Sequence, residues 1–264
     1  MIEGIGIVSQ SRAISLRDTV RVAAAVQTQV LRDLYPSWGI AATVSAFFRL
    51  EDVPLGHWPV LVRDELDPLD AGIHQFEASR FGLAAGTGAW SEAVSALVLD
   101  LLVNPDGTHR LVGPSPETGQ GEVEFVVAVA SGGRRTAPEI HGYPVSELLL
   151  PAYYQGGHGP YSSTGTVAEP HQVERGGALT WWDGNTGRWW QRTHNGDGPP
   201  EVRPIDIDAD GDIPRQLARR RARLVPPYLD IDLRAEPGSR PTGATHRARR
   251  LNDVVNGLGH QANS

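Results

Sequence analysis

The sequence predicts an α+β protein: a mixed sheet packed against one central apolar helix, then an aromatic β-hairpin and a polar C-terminal tail. Three observations carry this. Nine of the eleven residues from Ala93 to Val103 are apolar, a density that suits a helix buried nearly all round. Short apolar runs of strand type stand on both sides of that helix instead of alternating regularly with helices. Two tryptophan-rich segments flank Asp183-Gly184-Asn185-Thr186-Gly187, a hairpin signal. With 264 residues, 40% of them hydrophobic, the chain has room for one large domain and an appendage. The expected division is an α+β domain over residues 1–205 and a helical or flexible extension over 206–264.

Taken in order, Ser15 begins a capping-box pattern with Asp18 in the place of the usual Glu or Gln. Val20, Ala23, Ala24, Val26, Val30 and Leu31 then recur at helical spacing, which predicts a helix over 16–34 that ends before Pro36. Strands are expected at 39–48, 58–62 and 71–78, with a small-residue loop at 82–88 leading into the central helix. That helix opens at Trp90 and stops at Asn104-Pro105-Asp106-Gly107, where proline cannot continue it. Strands at 109–112 and 123–130, a turn at 131–135 and a hairpin arm at 140–150 follow. The Gly, Tyr, Ser and Pro of 151–166 read as a long loop. The aromatic strands are 177–182 and 188–192. Residues 213–224 read as an arginine-rich helix, 226–243 as a linker and 245–258 as an amphipathic helix.

Composition removes several chemistries. There is no cysteine, hence no disulfide, thiolate nucleophile or cysteine-ligated metal. All basic residues are arginine, so a lysine Schiff base is excluded too. The net charge of −7 argues against a nucleic-acid partner. No apolar run reaches the ~18 residues of a membrane span, and the N-terminal residues lack a signal-peptide pattern. The expectation is a cytoplasmic protein with neither a nucleic-acid nor a membrane partner. No serine-hydrolase elbow, P-loop or dinucleotide fingerprint is present.

One residue stands out. Asp100 sits inside the apolar helix, and a carboxylate is seldom fully buried without a partner. It shares a helix face with Ala96 and Glu92 at i−4 and i−8. Two readings apply: a desolvated acid or base, or a structural carboxylate satisfied by backbone or arginine. His74, on the strand expected at 71–78, is the second candidate for acid–base work. The remaining histidines are scattered, with no metal-ligand spacing between any pair. Asp206, Asp208, Asp210 and Asp212 match the start of a calcium loop, but Leu217 stands where the bidentate glutamate belongs. Calcium there competes with a plain acidic helix N-terminus. In the hairpin, alternation is expected to set Trp181 and Trp189 on one face and Trp182 and Trp190 on the other. One pair would pack in the core and the other would line a cleft with Tyr153, Tyr154 and Tyr161.

Several blocks in order resemble a family of uncharacterised bacterial proteins that look like zinc metallopeptidases. The first runs from Ala23 through Gln27-Thr28-Gln29 to Trp38-Gly39. Trp90 and Ser95 to Pro105 fall where that family carries a Ser-His-Glu-x-x-Glu-Met-Leu-x-Asp-Pro helix. Arg110 to Pro116, Val123 to Ser131, Gly142, Val145-Ser146, Pro151 to Tyr154 and Trp189-Trp190-Gln191 continue the series. The resemblance implies a peptidase scaffold whose helix pairs two metal ligands at i and i+4 with a general base at i+1. Here those positions are Ala96, Leu97 and Asp100, and the downstream acidic positions are Ala128 and Ser131. A single aspartate cannot hold zinc, so no metal is expected at this helix.

Two functions follow from the resemblance and its departures. One is a metal-independent, non-peptidase descendant acting on or binding a hydrophobic small molecule, with cyclase, isomerase or lyase type chemistry at Asp100 and His74. Its pocket would be walled by Trp90, Ala96, Leu97, Ala128, Ser131, Tyr153 and Tyr154. The other is a catalytically dead pseudoenzyme serving as a binding or regulatory module. An enclosed cavity reaching Asp100 favours the first; a helix face covered at Ala96 and Leu97 favours the second.

Overall fold

The computed structural model describes residues 4–67, 70–76, 79–130, 137–195, 197–208, 216 and 243–258. It is a mixed α+β fold with two five-stranded sheets. The first has the order β2-β1-β3-β5-β4. It comprises β1 (Gly4–Ser9), β2 (Thr43–Phe47), β3 (His57–Arg63), β4 (Gly72–Phe76) and β5 (Ser79–Ala85). All neighbours are parallel except β4, which runs antiparallel to β5. Strand alternation gives this sheet two apolar faces. Ile5, Ile7, Val60, Val62 and Ala84 join the main core with α1 (Leu16–Gln29) and α3 (Trp90–Val103). Val8, Leu61, Phe81 and Leu83 pack against Ala248, Leu251 and Val255 of α5 (Gly243–Leu258). The C-terminal helix expected over 245–258 is therefore seated on the first sheet.

The second sheet is antiparallel, in the order β12-β11-β10-β7-β6. Its strands are β6 (Arg110–Pro114), β7 (Glu122–Val126), β10 (Ala178–Asp183), β11 (Arg188–Thr193) and β12 (Glu201–Ile205). Phe125, Trp181 and Leu179 carry it into the same core as α1 and α3. A two-residue ladder, β8 (Glu139–Ile140) with β9 (Tyr143–Pro144), closes through His141 and Gly142. Both have positive φ, 53° and 78°, as a primed hairpin turn requires.

Several sequence expectations need correction. The small residues at 82–85 belong to β5, an interior strand, and not to a loop. Gly82 and Ala84 face α3: a Cβ at Gly82 would come within 3.5 Å of Leu97 Cβ and Leu101 Cδ1, and Ala84 packs in the same core. The first helix does not end before Pro36. Ser15 Oγ caps it at the Asp18 N–H, a π turn over Val30–Leu34 follows, and α2 (Tyr35–Trp38) takes Pro36 in its first turn, where no N–H is needed. Gly39, at φ 68°, then ends it in the left-handed region. Pro151 starts a helix, α4 (Pro151–Gln155), for the same reason. Strand β12, which the sequence reading does not predict, carries Pro204 on the sheet edge, where a missing N–H is tolerated. The turn at 131–135 and the helix expected at 213–224, Gln216 excepted, fall outside the described residues.

Candidate functional site

Helix α3 holds the positions where the resemblance puts catalytic groups, and its polar side chains are bound into the scaffold. Ser95, fully buried, donates to Gln29 Oε1 at 2.6 Å. Gln29 Nε2 donates to the Ser146 carbonyl at 2.6 Å, and the Ser146 N–H donates back to Ser95 Oγ at 3.1 Å. This closed ring joins α1, α3 and the segment after β9. At the helix end, Asn104 accepts from the His109 N–H and donates to the His109 and Val127 carbonyls, at 2.8–3.1 Å. Asp100, half-buried, accepts the Ala130 N–H at 3.2 Å. That bond fixes the stretch beyond β7, where Ala130 also bridges Leu148.

Around Asp100 the helix face is plain. Ala96 and Leu97 are half-buried, and Leu97 leans on β5 at Gly82. Glu92, two turns before Asp100, has its carboxyl pushed above the usual carboxylate range by burial. Among the described residues no group of three or more histidines, cysteines or acidic side chains could hold a metal ion. Asp206 and Asp208 lie in the described chain, where the Asp208 backbone exchanges two 2.9 Å hydrogen bonds with the Gln216 amide. Asp210 and Asp212 lie outside it.

His74 and Asp100 do not meet. His74 pairs with Phe81 across β4 and β5 and stacks on its ring at 5.0 Å. Phe81 belongs to the face covered by α5, whereas α3 covers the other face. A shared acid–base site at these two residues is therefore ruled out by the period-2 alternation of the strand. His74 Nε2 lies 2.7 Å from the Asp70 carbonyl and the side chain is buried.

A cavity of about 40 Å³ opens elsewhere. Strands β7 and β10 pair at Phe125–Trp181 and Glu124–Trp182, and beyond that register the cavity lies between their continuations. Val126, Ala128 and Ala130 line one side, and Ala178, Leu179 and Thr180 the other. Tyr153 and Tyr154 of α4 and the segment at Gln172–Glu174 complete it, with Gln191 of β11. The Tyr154 hydroxyl donates to the Ala128 carbonyl at 2.6 Å and accepts its N–H at 3.0 Å. The Tyr153 hydroxyl donates to the Gln172 carbonyl at 3.0 Å. Behind them His171 stacks on Phe125 at 4.6 Å, and burial holds its imidazole below the usual pKa.

Of the expected pocket residues, Ala128, Tyr153 and Tyr154 line this cavity; Trp90, Ala96, Leu97 and Asp100 do not. Ser131 lies outside the described residues. The tryptophans also differ from expectation. Register pairs Trp181 with Trp190 and Trp182 with Trp189, because the turn carries an even number of residues between Asp183 and Arg188. Trp181 is fully buried in the core. Trp182 and Trp189 pack with tilted rings, centroids 5.4 Å apart, on the opposite face, with the Arg110 guanidinium 4.9 Å from the Trp189 ring. No tryptophan lines the cavity. Gln172, Glu174 and Gln191 were missed. The available signal was hairpin register, which places Gln191 opposite Thr180.

A pair of substitutions separates the structural from the chemical role of Asp100. Asp100→Asn keeps an oxygen for the Ala130 N–H and is expected to shift stability by less than about 1 kcal/mol. Asp100→Ala orphans that donor and is expected to cost about 1–3 kcal/mol, read from urea unfolding midpoints.

Comparison with protein-family models, with curated proteins and with solved structures finds no match.

Proposed function

We propose that this chain is a binding module: a pseudoenzyme on a metallopeptidase-like scaffold that holds a small molecule and performs no hydrolysis. The observation that carries the reading is the engagement of Asp100 with the Ala130 N–H. The carboxylate left at the position of a catalytic HExxE serves to join α3 to the strand beyond β7. Alanine and leucine at the neighbouring positions offer neither a ligand nor a base. The cavity runs instead between the strand continuations, where Ala128, Tyr153 and Tyr154 stand. A site that excludes part of the solvent and offers few polar groups is suited to recognition. No helix among the described residues is long and apolar enough to cross a membrane, and a cytoplasmic location is part of the proposal.

The test uses the purified full-length chain. After equilibration with zinc and gel filtration, metal analysis is expected to find zinc far below one per chain, while denaturing extraction and mass spectrometry recover a small organic molecule. Stoichiometric zinc, or cleavage of a peptide library that Asp100→Asn abolishes, would overturn the reading.

A further inference from the structure

Helix α1 buries one face in the core and leaves a second apolar stripe uncovered. Val22, Val26 and Val30 are fully buried, whereas Leu16 is 46% exposed, Val20 50%, Leu31 55% and Tyr35 54%. These are four of the seven large hydrophobic side chains exposed among the described residues. Ala24, also exposed, stands between them. Counted from Leu16 they fall at i+4, i+8, i+15 and i+19, the spacing of one helix face. The π turn over Val30–Leu34 carries the line onward, so that Tyr35 of α2 continues it. Hydrophobes exposed singly need no explanation, but a contiguous apolar row marks an interaction surface.

The stripe carries no charge of its own. Gln27, midway along it, turns its amide to the edge of the first sheet: Nε2 donates to the Ala42 carbonyl at 3.2 Å, and Oε1 accepts the Val44 N–H at 2.6 Å. Arg32, on the flank, is held by Asp33 through Nε and Nη2, both at 2.7 Å. The order of the stripe is also symmetric. Leu16 and Tyr35 are its ends, Val20 and Leu31 lie four residues inside them, and Ala24 and Gln27 lie four further in. Every pair is centred on the same point, between Ala25 and Val26. Two copies therefore match when laid antiparallel across a two-fold axis, and such self-complementarity is what an isologous interface requires. A partner of any other kind would have no need of it. Residues 16–35 span about 30 Å of helix. Two helices packed along that length bury on the order of 1,200 Å² in total, enough for a specific but reversible interface.

We propose that α1 and α2 form the interface of a symmetric homodimer, in which the stripe is covered by the same stripe of a second copy. Leu16 lies on the partner's Tyr35, Val20 lies on the partner's Leu31, and the small side chain of Ala24 lets the two helices approach near the axis. The proposal is independent of the binding function above, since it uses none of the residues that line the cavity.

The test is sedimentation velocity on the full-length chain between about 1 and 100 μM. The expected result is a reversible monomer–dimer equilibrium. It is expected to persist in about 0.5 M sodium chloride, because salt screens charge pairs and not apolar contacts. Val20→Glu and Leu31→Arg each place a charge in the contact, and each is expected to weaken dimerisation at least about tenfold. Both positions are exposed in the single chain, so neither variant is expected to lower the unfolding midpoint of the monomer. The two variants mixed in equal amounts are expected to regain dimers, because the introduced carboxylate then faces the introduced guanidinium. A monomer at every concentration would mean that a different molecule, or another segment of this chain, covers the stripe. Dimers untouched by either substitution would place the interface on another surface. Loss in both variants without recovery on mixing would deny the antiparallel register, and dimers that dissociate in salt would deny the apolar contact. Each of these outcomes overturns the proposal.

Discussion

Replacing Gln29 with leucine is expected to destabilise the protein by about 3–5 kcal/mol, among the largest effects available to a single polar side chain here. The reason lies in the closed ring of hydrogen bonds. Gln29 accepts from Ser95 Oγ and donates to the Ser146 carbonyl, both at 2.6 Å, and Gln29, Ser95 and Ser146 are at most 1% exposed. Leucine fits the volume but leaves a hydroxyl donor and a carbonyl acceptor buried without partners, each costing about 1–3 kcal/mol. Ser95→Ala alone leaves Gln29 Oε1 and the Ser146 N–H buried without partners, and is expected to cost a similar amount. In the double variant both the orphaned hydroxyl and the orphaned amide oxygen are absent, so the loss is smaller than the sum of the two single losses, by about 2–3 kcal/mol. Urea unfolding followed by tryptophan fluorescence reads all three. A loss of less than about 1 kcal/mol for Gln29→Leu would mean that water reaches the ring and that α1 and α3 are not joined through it.

That ring also bears on what the sequence could reveal. Gln29, Ser95 and Ser146 stand in three segments far apart in the chain, and nothing local connects them. Their partnership is a property of packing, visible only when α1, α3 and the post-β9 segment are together. What was legible had a local cause. The apolar density of α3, the Ser15 cap and the Asp183 to Arg188 turn each express a short-range rule, and each element is in place. Where long-range packing overrides the local signal, the reading failed. Gly82 and Ala84 read as loop residues because they are small, yet they lie on a strand under α3. His74 stands beside Asp100 as an acid–base candidate in the sequence. Strand alternation sends it to the opposite face. The cavity was half legible: Ala128, Tyr153 and Tyr154 were named, but Gln191 lay among tryptophans that drew attention as hydrophobes. Its buried Oε1 has no hydrogen-bond partner among the described residues, and an absent partner leaves no mark in a sequence.

Gly113→Ala is expected to be as damaging as the loss of Gln29, by a steric route that reaches the proposed site. Gly113 sits on β6 opposite Val123, under the end of α4. A Cβ there would overlap the Tyr154 carbonyl oxygen and approach Gln155 Cα to 3.0 Å. These are backbone atoms, which cannot rotate away as a side-chain tip could. Either β6 or α4 must therefore move, and overpacking of this kind costs about 1–3 kcal/mol or more. The displacement has a direction that matters. Tyr154 anchors α4 to the strand beyond β7 through its hydroxyl at Ala128, and its carbonyl accepts from His171. Moving α4 away from β6 pulls Tyr153 and Tyr154 from the cavity wall. The variant is thus expected to lose stability and to shift the Tyr153 and Tyr154 ring signals, although it alters no residue of the lining. Gly184→Ala is the matched control. A Cβ at Gly184 meets nothing closer than Trp182 Nε1 at 4.0 Å, so that variant is expected to stay within about 0.5 kcal/mol and to keep the native tyrosine ring signals. If Gly113→Ala instead matches the control in both readouts, β6 and α4 have room to spare, and the cavity's shape does not depend on their contact.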